Sequence, residues 1–256
     1  MSKSAELIVE ARERGVVAIT VNRPRTHNAL SRAVLAALSE SVRTAGASSQ
    51  TRCVLLRGAG ARYFAAGGDL VDLASVKTRV ATRRMVDEGA AALDAVRACP
   101  VPVIACVNGD ALGGGAELAV ACDLRVAAPH ARIAYIHGSM AITSAWGGGS
   151  DLCELVGSAR AMRMMSRCES VDASTALAWG LIDAIAADDA AMRAFLDPML
   201  ELPPLVLRGI KAQTRAWRDG LARSARRDVE REQIVATWLS EDHLRAVERF
   251  LAKRGK

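Results

Sequence analysis

No stretch of this 256-residue chain approaches the roughly 20 apolar residues that a helix needs to cross a bilayer. Met1 to Glu10 lacks the basic-then-apolar order of a secretory signal. Six cysteines, at positions 53, 99, 106, 122, 153 and 168, show no CxxC spacing, which argues against a zinc site or a disulfide framework. Most lie in apolar runs such as Val103–Cys106, the setting of small buried thiols in a reducing cytosol. The four histidines form no HxH or HxxxH pattern, so no metal is expected. Aromatic residues make up only 4% of the chain and do not interleave with basic ones as on a nucleic-acid-binding face. The expectation is a soluble, cytoplasmic protein with no membrane partner.

What is present is an ordinary globular balance, 51% hydrophobic and 24% charged, in a chain at the upper end of single-domain length. The formal net charge is +6, and many basic residues fall in the carboxy-terminal quarter. Acids interleave them there, as in Arg226-Arg227-Asp228-Val229-Glu230-Arg231-Glu232, the pattern of a solvated helix face. Such a surplus suits a polyphosphate ligand as well as it suits RNA. With no nucleic-acid motif beside it, nucleic acid is not the expected partner.

Leu7–Glu10 and Val16–Val21 read as a hairpin joined through Arg14-Gly15. Ser31 can cap a helix whose apolar positions Val34, Leu35, Leu38 and Val42 recur at helical spacing. Cys53–Leu56, Val103–Val107, Leu124–Ala127, Arg132–Ile136 and Leu181–Ile185 are strand-like. Helices are expected from about Arg79 to Ala98, over Ala116–Cys122, through Leu155 after glycines 147 to 149, and over Ala173–Trp179 behind an Asp172 cap. Gly58–Gly68 and Gly109–Gly115 are expected to be loops, and Pro203-Pro204 to open a helical tail running to Lys256. The class is α/β, with no low-complexity linker.

Two of the strand-to-helix loops are rich in glycine: Phe64-Ala65-Ala66-Gly67-Gly68-Asp69-Leu70 and Ala111-Leu112-Gly113-Gly114-Gly115-Ala116-Glu117-Leu118. Either they are simply tight turns, or their glycines let the backbone approach a ligand and leave amide hydrogens free for an anion. Two such amides converging on one carbonyl oxygen make an oxyanion hole, worth about 3 kcal/mol per donor in acyl chemistry.

The run Val107-Asn108-Gly109-Asp110 through Gly113-Gly114-Gly115-Ala116-Glu117 to Cys122-Asp123-Leu124 resembles the signature of the crotonase (enoyl-CoA hydratase/isomerase) superfamily. So do Asn22-Arg23-Pro24, Asn28-Ala29-Leu30, Phe64–Leu70 and Ala173–Ile185, in order and with matching spacing. The resemblance implies a spiral of ββα units over residues 1–197 and a helical carboxy-terminal region over 198–256 that serves trimerisation and covers coenzyme A. It implies an acyl-CoA thioester as ligand, no cofactor beyond the coenzyme A of the substrate, and a homotrimer or dimer of trimers. The thioester oxygen would meet the amides of Gly68 and Gly114. Arg25 would lie near the CoA phosphates, Ala66 beside the adenine, and Phe250 and Lys253 would help hold CoA. Glu117 matches the family's catalytic glutamate.

Hydratases of the family carry a second glutamate about twenty residues on, and here that place falls to His137. An imidazole can move a proton near neutral pH, but it is not a second carboxylate. Tyr135-Ile136-His137-Gly138-Ser139-Met140-Ala141-Ile142 with Trp146-Gly147-Gly148 looks like the ethylmalonyl-CoA decarboxylase branch, as do Gly68-Asp69-Leu70 and Val76-Lys77. Asp69 and Trp146 join the expected substrate contacts on that ground. The resemblance thus implies decarboxylation of a methyl- or ethylmalonyl-CoA, with His137 quenching the carbanion and Glu117 positioning or sharing its proton. Hydration or isomerisation through Glu117 is the alternative, and a non-catalytic RNA or partner binder the remote one. Met85, Val86, Met140, Trp146 and Met162 are candidates to line the acyl pocket.

Overall fold

The computed structural model describes residues 5–254. Its strands are β1 (Leu7–Arg12), β2 (Val16–Val21), β3 (Cys53–Gly58), β4 (Tyr63–Ala65), β5 (Val103–Val107), β6 (Asp110–Leu112), β7 (Leu124–Ala127), β8 (Arg132–Ala134), β9 (Ser170–Asp172) and β10 (Ala184–Ile185). The helices are α1 (Arg32–Ala47), α2 (Leu70–Leu73), α3 (Arg79–Ala98), α4 (Gly114–Ala121), α5 (Gly148–Val156), α6 (Ser158–Arg167), α7 (Ala173–Trp179), α8 (Asp189–Leu200), α9 (Pro204–Arg218), α10 (Arg223–Trp238) and α11 (Glu241–Arg254). None of them is long and apolar enough to cross a membrane.

The larger sheet runs β1-β2-β3-β5-β7-β10. Only its β1–β2 hairpin is antiparallel. The remaining pairs are parallel, which needs helical crossovers and buries strands on both faces. Hence the uninterrupted apolar runs of β3 and β5, whose Val54, Val103, Ile104 and Ala105 are fully buried. Ser31 caps α1 as its position suggests, its hydroxyl accepting from the Val34 amide at 3.3 Å. Val34, Leu35, Leu38 and Val42 of α1 then pack into the main core.

The two expected glycine loops are not loops throughout. Each contains a three-residue strand, β4 in one and β6 in the other, too short for an alternating pattern to show. These form a second sheet ordered β4-β6-β8-β9, in which β4 pairs parallel to β6 and β6 parallel to β8. Because the three strands run the same way, the residues that follow them emerge at one end. Ala66–Gly68, Gly113–Glu117 and Tyr135–His137 are brought together in this manner, a common place for a site in parallel sheets.

Other expectations shift. Arg132–Ile136 is a strand only to Ala134, and a 3-10 turn over Ile136–Met140 carries His137 instead. The strand expected over Leu181–Ile185 is confined to Ala184–Ile185. Helices α6 and α8 were not expected; α8 starts behind Asp188, whose carboxylate accepts from the Ala191 amide. The carboxy-terminal helices are as expected from Pro204 on, with the last two residues of the tail outside the described part.

Candidate active site

Gly68 forms a parallel bridge to Leu30. The Leu30 amide donates to the Gly67 carbonyl at 2.8 Å, and the Asp69 amide donates to the Leu30 carbonyl at 3.2 Å. Gly68 stands between these pairs, so its own N–H points away from the bridge. Gly114 opens α4, where first-turn amides have no acceptor within the helix. The preceding Gly113, at φ +52° and ψ −121°, turns the chain into that helix while its own amide donates to Ala134 O at 2.9 Å. The two loops abut so closely that a methyl on Gly67 would lie 3.2 Å from the Gly114 nitrogen. Neither amide has an acceptor among the described residues, and two such donors on adjoining loops are what an oxyanion hole requires.

Glu117 sits one turn along α4 and is 2% exposed. A carboxylate so deep needs partners. Its Oε1 accepts from the amides of Trp146 at 3.0 Å and Gly148 at 3.2 Å, and its Oε2 lies 3.1 Å from His137 Nε2. The backbone of Gly148 rides directly over Glu117, where a methyl would fall 2.4 Å from Cγ. His137 Nδ1 is buried and has no partner among the described residues. A hydrogen on Nδ1 would be unsatisfied, so the geometry assigns the ring hydrogen to Nε2, donating to Glu117.

Tyr135 packs behind the pair, its ring centroid 5.8 Å from that of His137 and its hydroxyl donating to Gly148 O at 2.7 Å. Burial, and after it the nearby Glu117, push this phenol well above its ordinary pKa. Tyr135 is therefore a neutral donor that fixes the turn. Burial likewise pushes the thiols of Cys53 and Cys122 up to about 12, so neither offers a thiolate nucleophile.

Trp146 closes the site. It is 8% exposed, with its benzo edge against Gly114 and Gly68 and its pyrrole edge on Gly89 of α3. Its turn is tied down from behind by residues that the sequence alone did not single out. Arg97 Nη2 donates to the Trp146 carbonyl at 2.9 Å and to Asp151 Oδ2 at 2.7 Å. Arg218 pairs with the other Asp151 oxygen at 2.8 Å and donates to the Val120 and Ala121 carbonyls that end α4. This Arg97–Asp151–Arg218 cluster joins α3, α5 and α9 beneath the site.

Of the expected contacts, Gly68, Gly114, Glu117, His137 and Trp146 are brought together, with Ala66 on the same loop. Asp69 stands beside them, but its carboxylate is engaged within the chain. It caps α2 through the Val71 and Asp72 amides and pairs with Arg23 at 2.7 Å. Burial disfavours its charge, yet the Arg23 guanidinium and the two amides outweigh that and hold its pKa below the usual 3.8. Arg25 is exposed on the turn after β2, and neither its side chain nor that of Lys253 makes a hydrogen bond or ion pair among the described residues. Phe250 is 57% exposed on α11, the helix that also carries Lys253. Met140 and Met162 are 53% and 64% exposed, Met85 and Val86 are half-buried on α3, and Trp146 lies against both glycine loops.

The enoyl-CoA hydratase/isomerase family model matches residues 11–256. The chain belongs to that family. YngF of Bacillus subtilis, provisionally named an enoyl-CoA hydratase/isomerase, is 38% identical over 171 residues, 66% of this chain and 65% of that one. The chain thus matches just under two thirds of that relative's length. Human ethylmalonyl-CoA decarboxylase is 28% identical over 254 residues, 97% of this chain and 81% of the relative. An enoyl-CoA hydratase structure from Mycobacterium smegmatis superposes with a TM-score of 0.90 at 29% identity, covering 98% of this chain and 97% of that one. The fold is the crotonase fold, and the protein is an acyl-CoA-processing enzyme of that superfamily.

Proposed function

We propose that the protein removes carbon dioxide from a short 2-alkylmalonyl-CoA, with methyl- and ethylmalonyl-CoA as the first candidates. The observation that carries this reading is the state of Glu117. Both lone pairs of Oε1 are taken by backbone amides, and Oε2 faces His137. Hydration in this family asks two carboxylates to share the work of adding water, and this site offers one carboxylate, already held, with an imidazole. Decarboxylation asks less of it.

In the proposed reaction the bond from Cα to the substrate carboxylate breaks, and its electron pair enters the thioester as an enolate. The Gly68 and Gly114 amides take the charge that develops on oxygen, and no base is needed. Carbon dioxide leaves, and Cα takes up one proton. That proton comes from solvent by way of the Glu117–His137 pair, which takes one up and delivers it. The balance is one proton consumed and one carbon dioxide released. Pairing with His137 also tempers the repulsion between Glu117 and a substrate carboxylate.

The second reading is hydration or isomerisation with Glu117 as the acid–base group, favoured by its place one turn after Gly114. Incubating the purified protein separately with methylmalonyl-, ethylmalonyl- and crotonyl-CoA, with mass spectrometry of the products, separates the two. Loss of carbon dioxide from a malonyl thioester supports the first. Water addition to crotonyl-CoA without decarboxylation supports the second and removes the first.

A further inference from the structure

We propose that the Trp146 indole sets the upper size of the acyl group that this site accepts, with Gly89 as its seat. The proposal rests on the thioester reading above. The ring bridges the space between α3 and the two glycine loops. A methyl built on Gly114 would meet Cζ3 at 2.3 Å, one on Gly68 would meet Cη2 at 3.8 Å, and one on Gly89 would meet Nε1 at 2.0 Å. The indole therefore lies flush against backbone at both ends, with no slack for it to withdraw.

Gly89 needs an explanation of its own. It is buried near the middle of the 20-residue helix α3, where glycine is less favourable than alanine. The 2.0 Å approach supplies the reason, since any side chain at 89 would overlap the indole. The backbone of Trp146 is fixed as well, its amide on Glu117 and its carbonyl on Arg97. A thioester whose oxygen rests on the Gly68 and Gly114 amides has its α carbon beside them. A substituent extending from that carbon toward α3 meets the indole at once. The longer the chain, the further it must displace a ring seated against backbone on both sides.

Because the Glu117 contact uses the Trp146 amide, removing the side chain tests size without removing the hydrogen bond. The experiment measures binding of acetyl-, butyryl-, hexanoyl- and octanoyl-CoA, which do not react by decarboxylation, by calorimetry on the full-length protein. Wild type is expected to bind octanoyl-CoA at least tenfold more weakly than butyryl-CoA, and Trp146→Ala to erase or invert that ratio. Gly89→Ala works from the opposite side, pushing the ring toward the amides, and is expected to weaken butyryl-CoA at least tenfold relative to acetyl-CoA. A folded Trp146→Ala with the wild-type order of affinities overturns the proposal. Should that variant not fold, an unchanged butyryl-to-acetyl ratio in Gly89→Ala does so instead. If wild type binds none of the four thioesters, the thioester reading itself fails and takes this one with it, an outcome distinct from an unchanged size profile.

Discussion

Glu117 Oε2 and His137 Nε2 stand 3.1 Å apart, with the remaining Glu117 oxygen fully occupied by two backbone amides. The two side chains act as one unit, so their substitutions are expected to be far from additive. His137→Ala and Glu117→Gln should each lower decarboxylation of the preferred malonyl-CoA about 100-fold or more, and the double variant should be little worse than either single one. A general acid is typically worth about 100- to 10,000-fold, which sets this scale. Single-turnover rates on the three proteins test it, and multiplying losses would show that the residues work independently.

Arg97 reaches the site only through the Trp146 turn, yet that turn holds Glu117. Arg97→Met removes the bond to the Trp146 carbonyl and leaves Asp151 with Arg218 alone. Breaking one partner from a nearly buried ion cluster costs about 3 kcal/mol. Urea unfolding is expected to register that loss, and kcat to fall with KM less affected. Arg97→Lys keeps the charge but not the forked geometry, and should recover stability better than activity.

Asp69 gives a prediction with a pH sign. Its folded-state pKa lies below the usual 3.8, so the stability it contributes is fully present above that value and is lost as pH falls through the folded pKa. Asp69→Asn should cost about 1 kcal/mol at pH 7: the amide oxygen still caps α2, but the charge facing Arg23 is gone and that arginine keeps only Glu6 and the Ala29 carbonyl. The gap between wild type and variant, read from chemical unfolding at several pH values, should narrow below pH 4. A gap that stays constant would mean that the Arg23 pair contributes nothing.

Lys211 is a second buried charge, with its ammonium 2.5 and 2.7 Å from the two Asp123 oxygens and its side chain 3% exposed. Lys211→Met should destabilise by about 1–3 kcal/mol, because Asp123, 21% exposed, loses its ammonium partner and keeps only the Val103 amide. Part of that is regained in a Lys211→Met, Asp123→Asn double variant, in which no uncompensated charge remains. A thermal melt of the three proteins decides it, and a double variant no better than the single would remove the charge argument.

Much of the site was legible in the sequence because chemistry there is local. The glycine loops, Glu117 and the Trp146-Gly147-Gly148 turn are contiguous motifs, and the capping residues Ser31 and Asp172 announce their helices. The convergence of the loops was not legible, since it depends on β4, β6 and β8, each three residues long. Nor was the Arg97–Asp151–Arg218 cluster, whose members are separated by 54 and 67 residues. Asp69 looked like a ligand contact in sequence and is occupied by Arg23, a partner that spacing does not reveal. Gly89 did leave a signal, a lone glycine inside a helical pattern at a cost of about 1 kcal/mol against alanine, but its reason shows only once the Trp146 indole is seated on it.

The proton balance of the proposed reaction yields the last prediction. Each turnover consumes one proton, and the Glu117–His137 pair must hold an extra one when the enolate is quenched. Decarboxylation in deuterium oxide should place one deuterium at Cα, on a single face in wild type, where the pair delivers it, and on both faces in His137→Ala, where solvent quenches the enolate. Nuclear magnetic resonance of the acyl product reads both outcomes. Deuterium on a single face in both proteins would place the proton donor on some other group and leave the pair with a purely positional role.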